Sequence, residues 1–358
     1  MGYTSVRGGL DAIHHAEQLI ERTVQRARSS IDPAQIQSFF GLALDRVMSE
    51  GSLYDPELAA IALQQAEGDI IEAVILMRSF RSTLPRVGYS FAARIDEQRV
   101  HRRVSAAYRD IPGGQVLGCT RDYTLRLLGM PVDPLDDIQD QDVPGASPAF
   151  PTVIDFLRRE GLMAEPPPES PEENPADITR EPLRIPAPRS ARLQILARGE
   201  SGAVLSLAYG ALRGYGLAHP YVGEIRSGPV PVSISHPVTG RRARIGWLPV
   251  TEAHMVFPGS GSLSSDAADM SVGFGISTGR DERKAISMGI IDENLTRAEG
   301  KTPGSPIEDQ EYVLHHIDSV EASGFVEHLK LPHYVTFQSQ LHQSRRITEL
   351  VKASRAND

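Results

Sequence analysis

The sequence predicts an α+β fold, in which a helical N-terminal region is followed by a mixed α/β region with a mostly antiparallel sheet. Apolar residues recur at helical spacing through the first third of the chain, whereas alternating and glycine-bearing apolar segments, typical of strands, enter only in the second half. These patterns lack the strict βαβ alternation of a doubly wound sheet. We expect a mainly helical region at 1–130, a proline-rich acidic linker or insert at 131–190, and a mixed α+β region at 191–358.

Four helices are expected in the N-terminal region. The first has a partly apolar face over residues 10–27. Asp32-Pro33 and Asp55-Pro56 each place a capping carboxylate before a proline at the first helical position, so each begins a further helix. A continuous apolar stripe at 36–48 follows the first of these signals, and the fourth helix is expected from about Asp69 to Phe80. We interpret these stripes as core.

The second half combines predicted helices and strands. Gly202–Leu212 has the composition of a buried helix, and Val230–Ser235 alternates apolar and polar residues as a strand does. The prolines and like charges from Glu165 to Pro188 leave too little apolar surface for independent folding, so this insert is either an exposed loop or a segment that orders on a partner chain. The other expected elements are strands around Ala243–Val250 and at Ser271–Ser277, and helices at Asp281–Leu295, Glu308–Val320 and Tyr334–Val351.

Composition excludes several classes of protein. The 358 residues include 46 acidic and 37 basic ones, and the net charge of −9 argues against nucleic acid as the main partner, because backbone binding needs a concentrated positive field. The single cysteine, Cys119, cannot form an internal disulfide. No apolar run reaches the roughly 18 residues of a membrane helix, and the N-terminus does not resemble a signal peptide. We therefore expect a cytoplasmic protein that does not bind membranes.

Two glycine-bearing segments are candidates for binding an anion. Gly113 and Gly114 follow a proline and permit a loop whose amides can hold an anion, although the same residues also suit an ordinary turn. Further along, Gly275 and Gly279 lie between a predicted strand and a helix that begins near Arg280. That order resembles a phosphate cradle, and it also fits an exposed helix face.

A third segment, Arg213–Gly228, mixes glycines with acidic, basic and aromatic side chains. Functional loops carry this mixture, because a flexible backbone can present groups for proton transfer and stacking. A plain loop with the same composition remains the alternative. The candidate side chains are Arg213, Tyr215, His219, Glu224 and Arg226.

His328 and His333 are candidate metal ligands. A continuous helix would direct residues at this spacing to different faces, but Pro332 breaks the helix before His333 and allows a turn that can bring both imidazoles onto one metal. A zinc or iron site has three or four ligands, and it keeps one position open when it is catalytic. This segment supplies two ligands. On spacing alone, two surface histidines beside a helix start is the preferred interpretation.

These segments, in this order, resemble the I-subunit family of the bacterial carbon–phosphorus lyase system. The resemblance spans nearly the whole chain. It is carried above all by DIPGGQVLG (Asp110–Gly118), by RGYG, HP and GEIRSG within Arg213–Gly228, and by GFVEHLKLPHY (Gly324–Tyr334). It implies a hetero-oligomeric core assembly with G, H and J subunits, with which subunits of the ATP-binding-cassette type associate. It also implies that His328 and His333 ligate a divalent metal, usually zinc.

The activity that the resemblance implies is a nucleosidase reaction. The base of ATP or GTP, supplied as the magnesium nucleotide, is displaced by an alkylphosphonate such as methylphosphonate. The products are α-D-ribose 1-methylphosphonate 5-triphosphate and free adenine or guanine. Cleavage of the carbon–phosphorus bond would belong to an iron–sulfur cluster on the J subunit, which a chain with one cysteine could not hold.

Displacement of the base passes through an oxocarbenium-like sugar, which a carboxylate can stabilise. We assign this role, or the activation of water, to Glu224, with Asp110 as the second candidate. Arg213, Arg226 and Arg280 are candidates for holding phosphates. The alternatives are a non-catalytic scaffold of the lyase core complex and a free-standing nucleoside hydrolase.

Overall fold

The computed structural model describes residues 9–26, 31–124, 127–128, 151–163, 175–215, 219–259 and 270–356. It divides the chain into two compact units, one of Pro33–Ser319 and one that combines Met1–Asp32 with Val320–Asp358. The predicted α+β class is confirmed. The three-part division into 1–130, 131–190 and 191–358 stays a prediction, because much of its middle segment lies outside the described residues.

The elements of the described residues are helices and one antiparallel sheet. The helices are α1 (Gly9–Arg26), α2 (Pro33–Phe39), α3 (Gly41–Gly51), α4 (Pro56–Gln65), α5 (Ile70–Thr83), α6 (Val153–Arg159), α7 (Arg189–Arg198), α8 (Ser201–Arg213), α9 (Glu282–Ala298), α10 (Gln310–His316), α11 (Ser319–His328) and α12 (Tyr334–Ala356). The strands are β1 (Arg102–Val104), β2 (Tyr221–Ser235), β3 (Arg242–Phe257) and β4 (Ser271–Thr278), paired in the order β1-β2-β3-β4.

The N-terminal helices begin where the sequence predicts. The Asp55 carboxylate accepts hydrogen bonds from the first amides of α4, so this predicted cap is confirmed. The Asp69 carboxylate caps α5 in the same way, at the start that the sequence predicts for this helix. The stripe expected to be continuous over 36–48 is interrupted at Phe40, where φ is −101° and ψ is 32°. Phe39 is therefore 83% exposed and does not belong to the core that α2–α5 form.

Buried polar contacts join this helical layer to the sheet and its helices. The Ser49 hydroxyl donates to the carbonyl of Ala197 at 3.0 Å, and Lys284 Nζ lies 3.4 Å from the same hydroxyl. Burial lowers the pKa of Lys284 to about 8. Arg78 Nη1 donates to both carboxylate oxygens of Asp318 at 2.8 and 2.9 Å. These contacts fix α3 and α5 against α7, α9 and the segment after α10.

Helix α9 packs on one face of the sheet at very short range. A Cβ atom at Gly273 would lie 1.8 Å from the carbonyl oxygen of Gly289, and one at Gly275 would lie 1.9 Å from that of Ala285. Only glycine leaves room for such an approach of strand and helix backbones. The main core includes α9 and the end of β3, and residues such as Leu196, Val204, Phe257, Met288 and Ile291 are buried there together with parts of α7, α8 and α10.

Several boundaries differ from the prediction. The strand expected at Val230–Ser235 begins at Tyr221, so Glu224 and Arg226 lie in a strand and not in a loop. Its first half escaped detection because charged residues occupy one buried face and hide the apolar alternation. The helix expected at Glu308–Val320 is divided into α10 and α11. Helices α6 and α7 and strand β1 were not anticipated.

The second unit has no buried core among its described residues. None of its described residues in α1, α11 from Val320 onward, or α12 is buried. No helix among the described residues is long and apolar enough to cross a membrane. The exposed apolar side chains of this unit include Leu10, Leu19, Ile20, Val24, Phe325, Val326, Leu329, Val335, Phe337, Ile347 and Leu350. A surface of this kind is typical of a segment that contacts other chains.

We expect Gly275→Ala to destabilise the protein, because its methyl group would collide with the backbone of α9. Overpacking at such a contact costs on the order of 3 kcal/mol. The matched control is Gly246→Ala, since a Cβ at Gly246 in β3 meets nothing within 4 Å. Chemical unfolding of the full chain measures both free energies of unfolding. Equal values for the two variants would contradict the close packing of β4 on α9.

Candidate functional site

Charged side chains line the face of the sheet opposite α9. Ile225 of β2 and Ala253 of β3 pack against Ala285 of α9. Because side chains alternate along a strand, the residues on either side of Ile225 and Ala253 project from the other face. They form, with one residue of β1, a group that we call the buried charged face, consisting of Arg103, Glu224, Arg226, Glu252 and His254, each between 0 and 5% exposed.

The strand register brings these residues side by side. Arg103 lies opposite Arg226 in the pairing of β1 with β2. In the pairing of β2 with β3, Glu224 lies opposite His254 and Arg226 lies opposite Glu252. Backbone pairing alone therefore places two acids, two arginines and an imidazole within neighbouring positions.

Arg103 and Glu224 form a completely buried ion pair, with Arg103 Nε 2.5 Å from Glu224 Oε1. The second oxygen of Glu224 accepts the amide of Val153 at 3.0 Å. The other nitrogens of Arg103 donate to the carbonyls of Pro112 at 2.7 Å, Gly114 at 3.1 Å and Pro151 at 2.9 Å. Both carboxylate oxygens of Glu224 are thus engaged.

The glycine loop is ordered by this arginine. Gly113 and Gly114 both have positive φ, 85° and 77°, as the sequence predicts for a tight turn. The loop turns the carbonyls of Pro112 and Gly114 inward, toward the Arg103 guanidinium. Anion binding by the amides of this loop stays a prediction. Its inward carbonyls accept hydrogen bonds from the Arg103 cation. Asp110, at the start of the loop, is exposed.

The remaining members of the buried charged face are incompletely paired. Arg226 Nε lies 3.7 Å from Glu224 Oε1 and 3.8 Å from Glu252 Oε1, and His254 Nε2 lies 3.8 Å from Glu252 Oε2. These distances exceed hydrogen-bond range. Arg226 Nε, both oxygens of Glu252 and His254 Nδ1 have no hydrogen-bond partner. Each such buried group costs about 1–3 kcal/mol, so a group of them is expected where water or a ligand completes the set.

Burial also shifts the acid–base properties of this pair of strand residues. Desolvation raises the pKa of Glu252 to about 7, against the opposing attraction of Arg226 and with a further increase from Glu224. Desolvation lowers the pKa of His254 to about 4, so its imidazole is neutral at pH 7. The contact between His254 and Glu252 is therefore not an attraction between two full charges. A carboxyl that is partly protonated at neutral pH can both give and accept a proton.

The other residues of the Arg213–Gly228 segment do not join this group. Arg213 is exposed at the end of α8, and Tyr215 is 55% exposed just beyond it. The exposed His219 ring lies 5.5 Å from the ring of Tyr221. No hydrogen bond or ion pair among the described residues links these side chains to Glu224. Their roles in substrate binding stay predictions.

Arg280 lies in a separate environment, at the start of α9. Its amide and its Nε donate to the Asp45 carboxylate at 3.1 and 3.3 Å. The Asp281 carboxylate caps the same helix by accepting the amide of Lys284 at 3.1 Å. Two protein carboxylates therefore occupy the amides that the phosphate-cradle interpretation reserves for a ligand. Gly275 is explained by the packing of β4 on α9, and Gly279 by its positive φ and its close approach to the Asp45 side chain.

The two predicted metal ligands lie on either side of a turn. His328 is the last residue of α11, α12 begins at Tyr334, and the rings of His328 and His333 are 5.3 Å apart. His333 Nδ1 is 2.6 Å from the carbonyl oxygen of Leu331, and His328 Nδ1 contacts that of Phe325. Because a carbonyl only accepts, both imidazoles carry their proton on Nδ1 and keep the Nε2 lone pair for a metal.

The described part of the chain adds no further ligand to these two histidines. No group of three or more His, Cys, Asp or Glu side chains suited to a metal occurs among the described residues. The geometry of the pair fits a zinc site that receives its other ligands from water, substrate or another chain. The break at Pro332 was expected to permit a turn that brings both imidazoles onto one metal, and metal binding by this pair stays a prediction.

The sequence analysis did not identify Glu252 and His254, and it did not predict that Arg103 pairs with Glu224. Glu224 and Arg226 stood out because they belong to an unusual mixture of residue types, whereas Glu252 and His254 are isolated polar residues within an apolar stretch. A usable signal was present, since Glu252 and His254 are separated by one apolar residue, as Glu224 and Arg226 are. Two adjacent strands with charges at every second position predict a charged sheet face.

The pKa of Glu252 predicts how Glu252→Gln changes stability with pH. Between its ordinary value of 4.5 and about 7, the unfolded chain has an ionised Glu252 while the folded chain retains the proton. The wild type therefore loses stability through this window as pH rises, and Glu252→Gln does not. Between pH 4.5 and 7 we expect the free energy of unfolding of Glu252→Gln to rise relative to that of the wild type, by on the order of 3 kcal/mol.

Chemical unfolding at a series of pH values measures this difference. The control is Glu97→Gln, which makes the same substitution at an exposed position outside the buried charged face. A difference for Glu252→Gln that does not change with pH would show that Glu252 titrates normally.

Known proteins similar to this chain come from phosphonate metabolism. The family model described as bacterial phosphonate metabolism protein (PhnI) matches residues 2–351. The alpha-D-ribose 1-methylphosphonate 5-triphosphate synthase subunit PhnI of Rhizobium meliloti (strain 1021) is 44% identical, over 99% of this chain and 97% of the relative. The protein of the same name from Escherichia coli (strain K12) is 42% identical, over 97% of this chain and 98% of the relative.

The putative C-P lyase subunit protein HtxH of Stutzerimonas stutzeri is 41% identical, over 96% of this chain and 95% of the relative. All these matches extend across both compact units and across the buried charged face. The chain belongs to the PhnI family of bacterial phosphonate metabolism proteins.

Proposed function

We propose that this chain supplies the nucleosidase chemistry of a phosphonate-activating assembly. The base of ATP or GTP is displaced by an alkylphosphonate, giving α-D-ribose 1-methylphosphonate 5-triphosphate when the phosphonate is methylphosphonate, with free adenine or guanine. Two relatives are named as subunits of the synthase of this product, which supports the reaction class. The proposal extends that description to this chain.

The observation that carries the proposal is the unpartnered Glu252 carboxyl beside Arg226 and a neutral His254. In the displacement, the bond from the anomeric carbon to the base nitrogen breaks and a bond to a phosphonate oxygen forms. The electron pair of the broken bond goes to the base, which leaves more readily when it receives a proton. A carboxyl with a pKa of about 7 can donate that proton at neutral pH.

Glu224 has a different role in this arrangement. Its two oxygens are held by Arg103 and by the amide of Val153. It therefore acts through its charge, which favours a cation-like sugar and raises the pKa of Glu252. Direct contact with the substrate falls to Glu252 and Arg226, and the geometry favours Glu252 over Asp110, which is exposed in the glycine loop.

Access to this site requires a change in its cover. Glu252 is 1% exposed. The Pro112–Gly114 loop and Val153 at the start of α6 are hydrogen-bonded to Arg103 and Glu224, and these two segments form the cover. A nucleotide reaches Glu252 only after this cover moves. We therefore place turnover in the assembled complex with the G, H and J subunits and the associated ATP-binding-cassette-type subunits, in the cytoplasm, with the magnesium nucleotide as substrate.

The histidine pair is proposed to hold a divalent metal, zinc in the first instance. Zinc bound to the Nε2 atoms of His328 and His333 would act as a Lewis acid toward oxygen ligands when present. The pair itself binds and orients, since both rings are fixed through Nδ1 to backbone carbonyls. Water, a phosphate of the substrate or a partner chain would complete the coordination.

A scaffold function is the second candidate, and one observation favours it. Helices α1, α11 and α12 expose apolar side chains and bury none in their described residues, as expected for an element that holds other subunits. A scaffold would require the chain for assembly but would tolerate the loss of Glu252. The two functions therefore respond differently to the same variant.

We expect Glu252→Gln to abolish base release without preventing assembly. The loss should be on the order of 100-fold or more, because the variant cannot transfer a proton. The measurement is chromatography of free adenine after incubation of the chain with its G, H and J partners, ATP and methylphosphonate. Glu97→Gln, at an exposed position, is the control and should retain full release.

Two outcomes would contradict this assignment. Full base release by an assembled Glu252→Gln complex would remove Glu252 from the chemistry. No base release by the assembled wild type would favour the scaffold function for the chain.

We expect His328→Ala combined with His333→Ala to remove bound metal. Elemental analysis of the purified full chain and of the complex measures the metal per chain. His315→Ala combined with His316→Ala is the matched control. This variant also removes two exposed histidines that are neighbours, but they have no role in the proposed site. Unchanged metal content in the first variant would refute the site.

A further inference from the structure

Beyond the buried charged face, a second group of arginines lies on the outer half of the β2–β3 hairpin. Arg99 stacks on Trp247 with its guanidinium carbon 3.9 Å from the ring centroid, and Arg244 stacks on the same ring at 5.0 Å. Arg242 lies over the Phe91 ring at 5.5 Å. We call these five residues the arginine ladder.

Strand register places the ladder on one face of the hairpin. Arg242 pairs with Ser235, Arg244 with Ser233 and Trp247 with Pro231. Cross-strand partners share a face, and the partners in β2 are separated by one residue each. A bulge at Ile245 accounts for the extra residue between Arg244 and Trp247, so that all three ladder residues of β3 point the same way.

The ladder is an uncompensated positive patch on an acidic protein. The segment from Ile225 to Thr251 contains no aspartate or glutamate, although the chain carries a net charge of −9. Arg99, Arg242 and Arg244 are exposed, and no ion pair involves them among the residues that the structure describes. Arg94, on the nearby loop, is by contrast paired with Asp96.

Stacking fixes these guanidiniums while leaving their hydrogen-bond donors available. Cation–π contacts of this kind hold the planar group against the ring face, so less side-chain freedom is lost when a carboxylate binds. Two arginines on the same ring also repel each other, and an anionic partner relieves that repulsion. The arrangement is therefore suited to receive negative charge.

The shape and composition of the hairpin favour a protein as the source of that charge. Ile245 and Val238, at the bulge and near the tip, are 61% and 86% exposed among the arginines. Exposed aliphatic side chains beside arginine and tryptophan are typical of protein interfaces. A small anion would need converging donors in a concave site, which a ladder along a hairpin face does not provide. The overall negative charge opposes a nucleic acid.

We propose that the arginine ladder is a docking surface for an acidic surface of another protein subunit. The inference rests on the hairpin alone and does not depend on the proposed nucleosidase reaction. Electrostatic complementarity at such a surface controls the rate and specificity of association and weakens as salt increases.

Trp247 is the chain's single tryptophan, so its fluorescence reports directly on the ladder. The experiment titrates the full chain with poly-glutamate, a minimal acidic polypeptide, and follows that fluorescence at low and high salt. We expect a saturable change that salt reverses. Arg242→Glu combined with Arg244→Glu should weaken binding about tenfold or more, because attraction becomes repulsion.

The control variant is Arg121→Glu combined with Arg184→Glu, which makes the same change in net charge at two other exposed arginines. It should bind nearly as well as the wild type. Inorganic triphosphate and duplex DNA are titrated in parallel, and a response to either that exceeds the response to poly-glutamate would overturn the proposal. So would no response of the wild type, or equal weakening by both double variants.

A second measurement uses the complex itself. Co-expression with the G, H and J subunits, followed by size-exclusion chromatography at increasing salt, gives the fraction of chain retained in the assembly. We expect the ladder variant to leave the complex at lower salt than the control variant. Identical retention of the two variants would show that the ladder docks none of these subunits and would contradict the proposal.

Discussion

The ion pair between Arg103 and Glu224 is the interaction on which the charged side of the sheet depends. It joins the edge strand β1 to the central strand β2, and its remaining hydrogen bonds hold the glycine loop and the start of α6. Both side chains are fully buried. Removing either partner would leave an unpaired buried charge, at a cost of about 3–5 kcal/mol. The glycine loop and the start of α6 therefore depend on the Arg103–Glu224 pair for their position, and the pair depends on their hydrogen bonds.

A buried pair of this kind changes the properties of its neighbours. Because Arg103 and the Val153 amide satisfy Glu224 completely, Arg226 is left between two carboxylates at distances too long for hydrogen bonds. Glu252 then lacks a partner, and burial raises its pKa to a value useful at neutral pH. The opposite face, where Gly273 and Gly275 meet α9, is packed so closely that it has no room for a ligand. One sheet thus combines a rigid packed face with a polar face whose hydrogen bonding is incomplete.

Sequence patterns predicted the features that depend on local structure. The cap at Asp55 and the start of α5 near Asp69 require only neighbouring amides, and the turn at Pro332 is set by one residue. The patterns failed where distant contacts decide. Phe39 belongs to an apolar stripe but is exposed, and Gly275 suggested a phosphate site but serves the approach of β4 to α9. Glu252 gave no signal of its own, because its neighbours across the sheet lie in another strand.

The central claim is that Glu252 is a buried acid that exchanges its proton near neutral pH. Infrared difference spectroscopy of the full chain measures the protonated carboxyl directly, and the signal is assigned by its absence in Glu252→Gln. A protonated carboxyl that disappears with a midpoint at about pH 7 is the predicted result. A midpoint at the ordinary value for glutamate, 4.5, would contradict the account, because Glu252 would then be ionised and unable to supply a proton to the departing base.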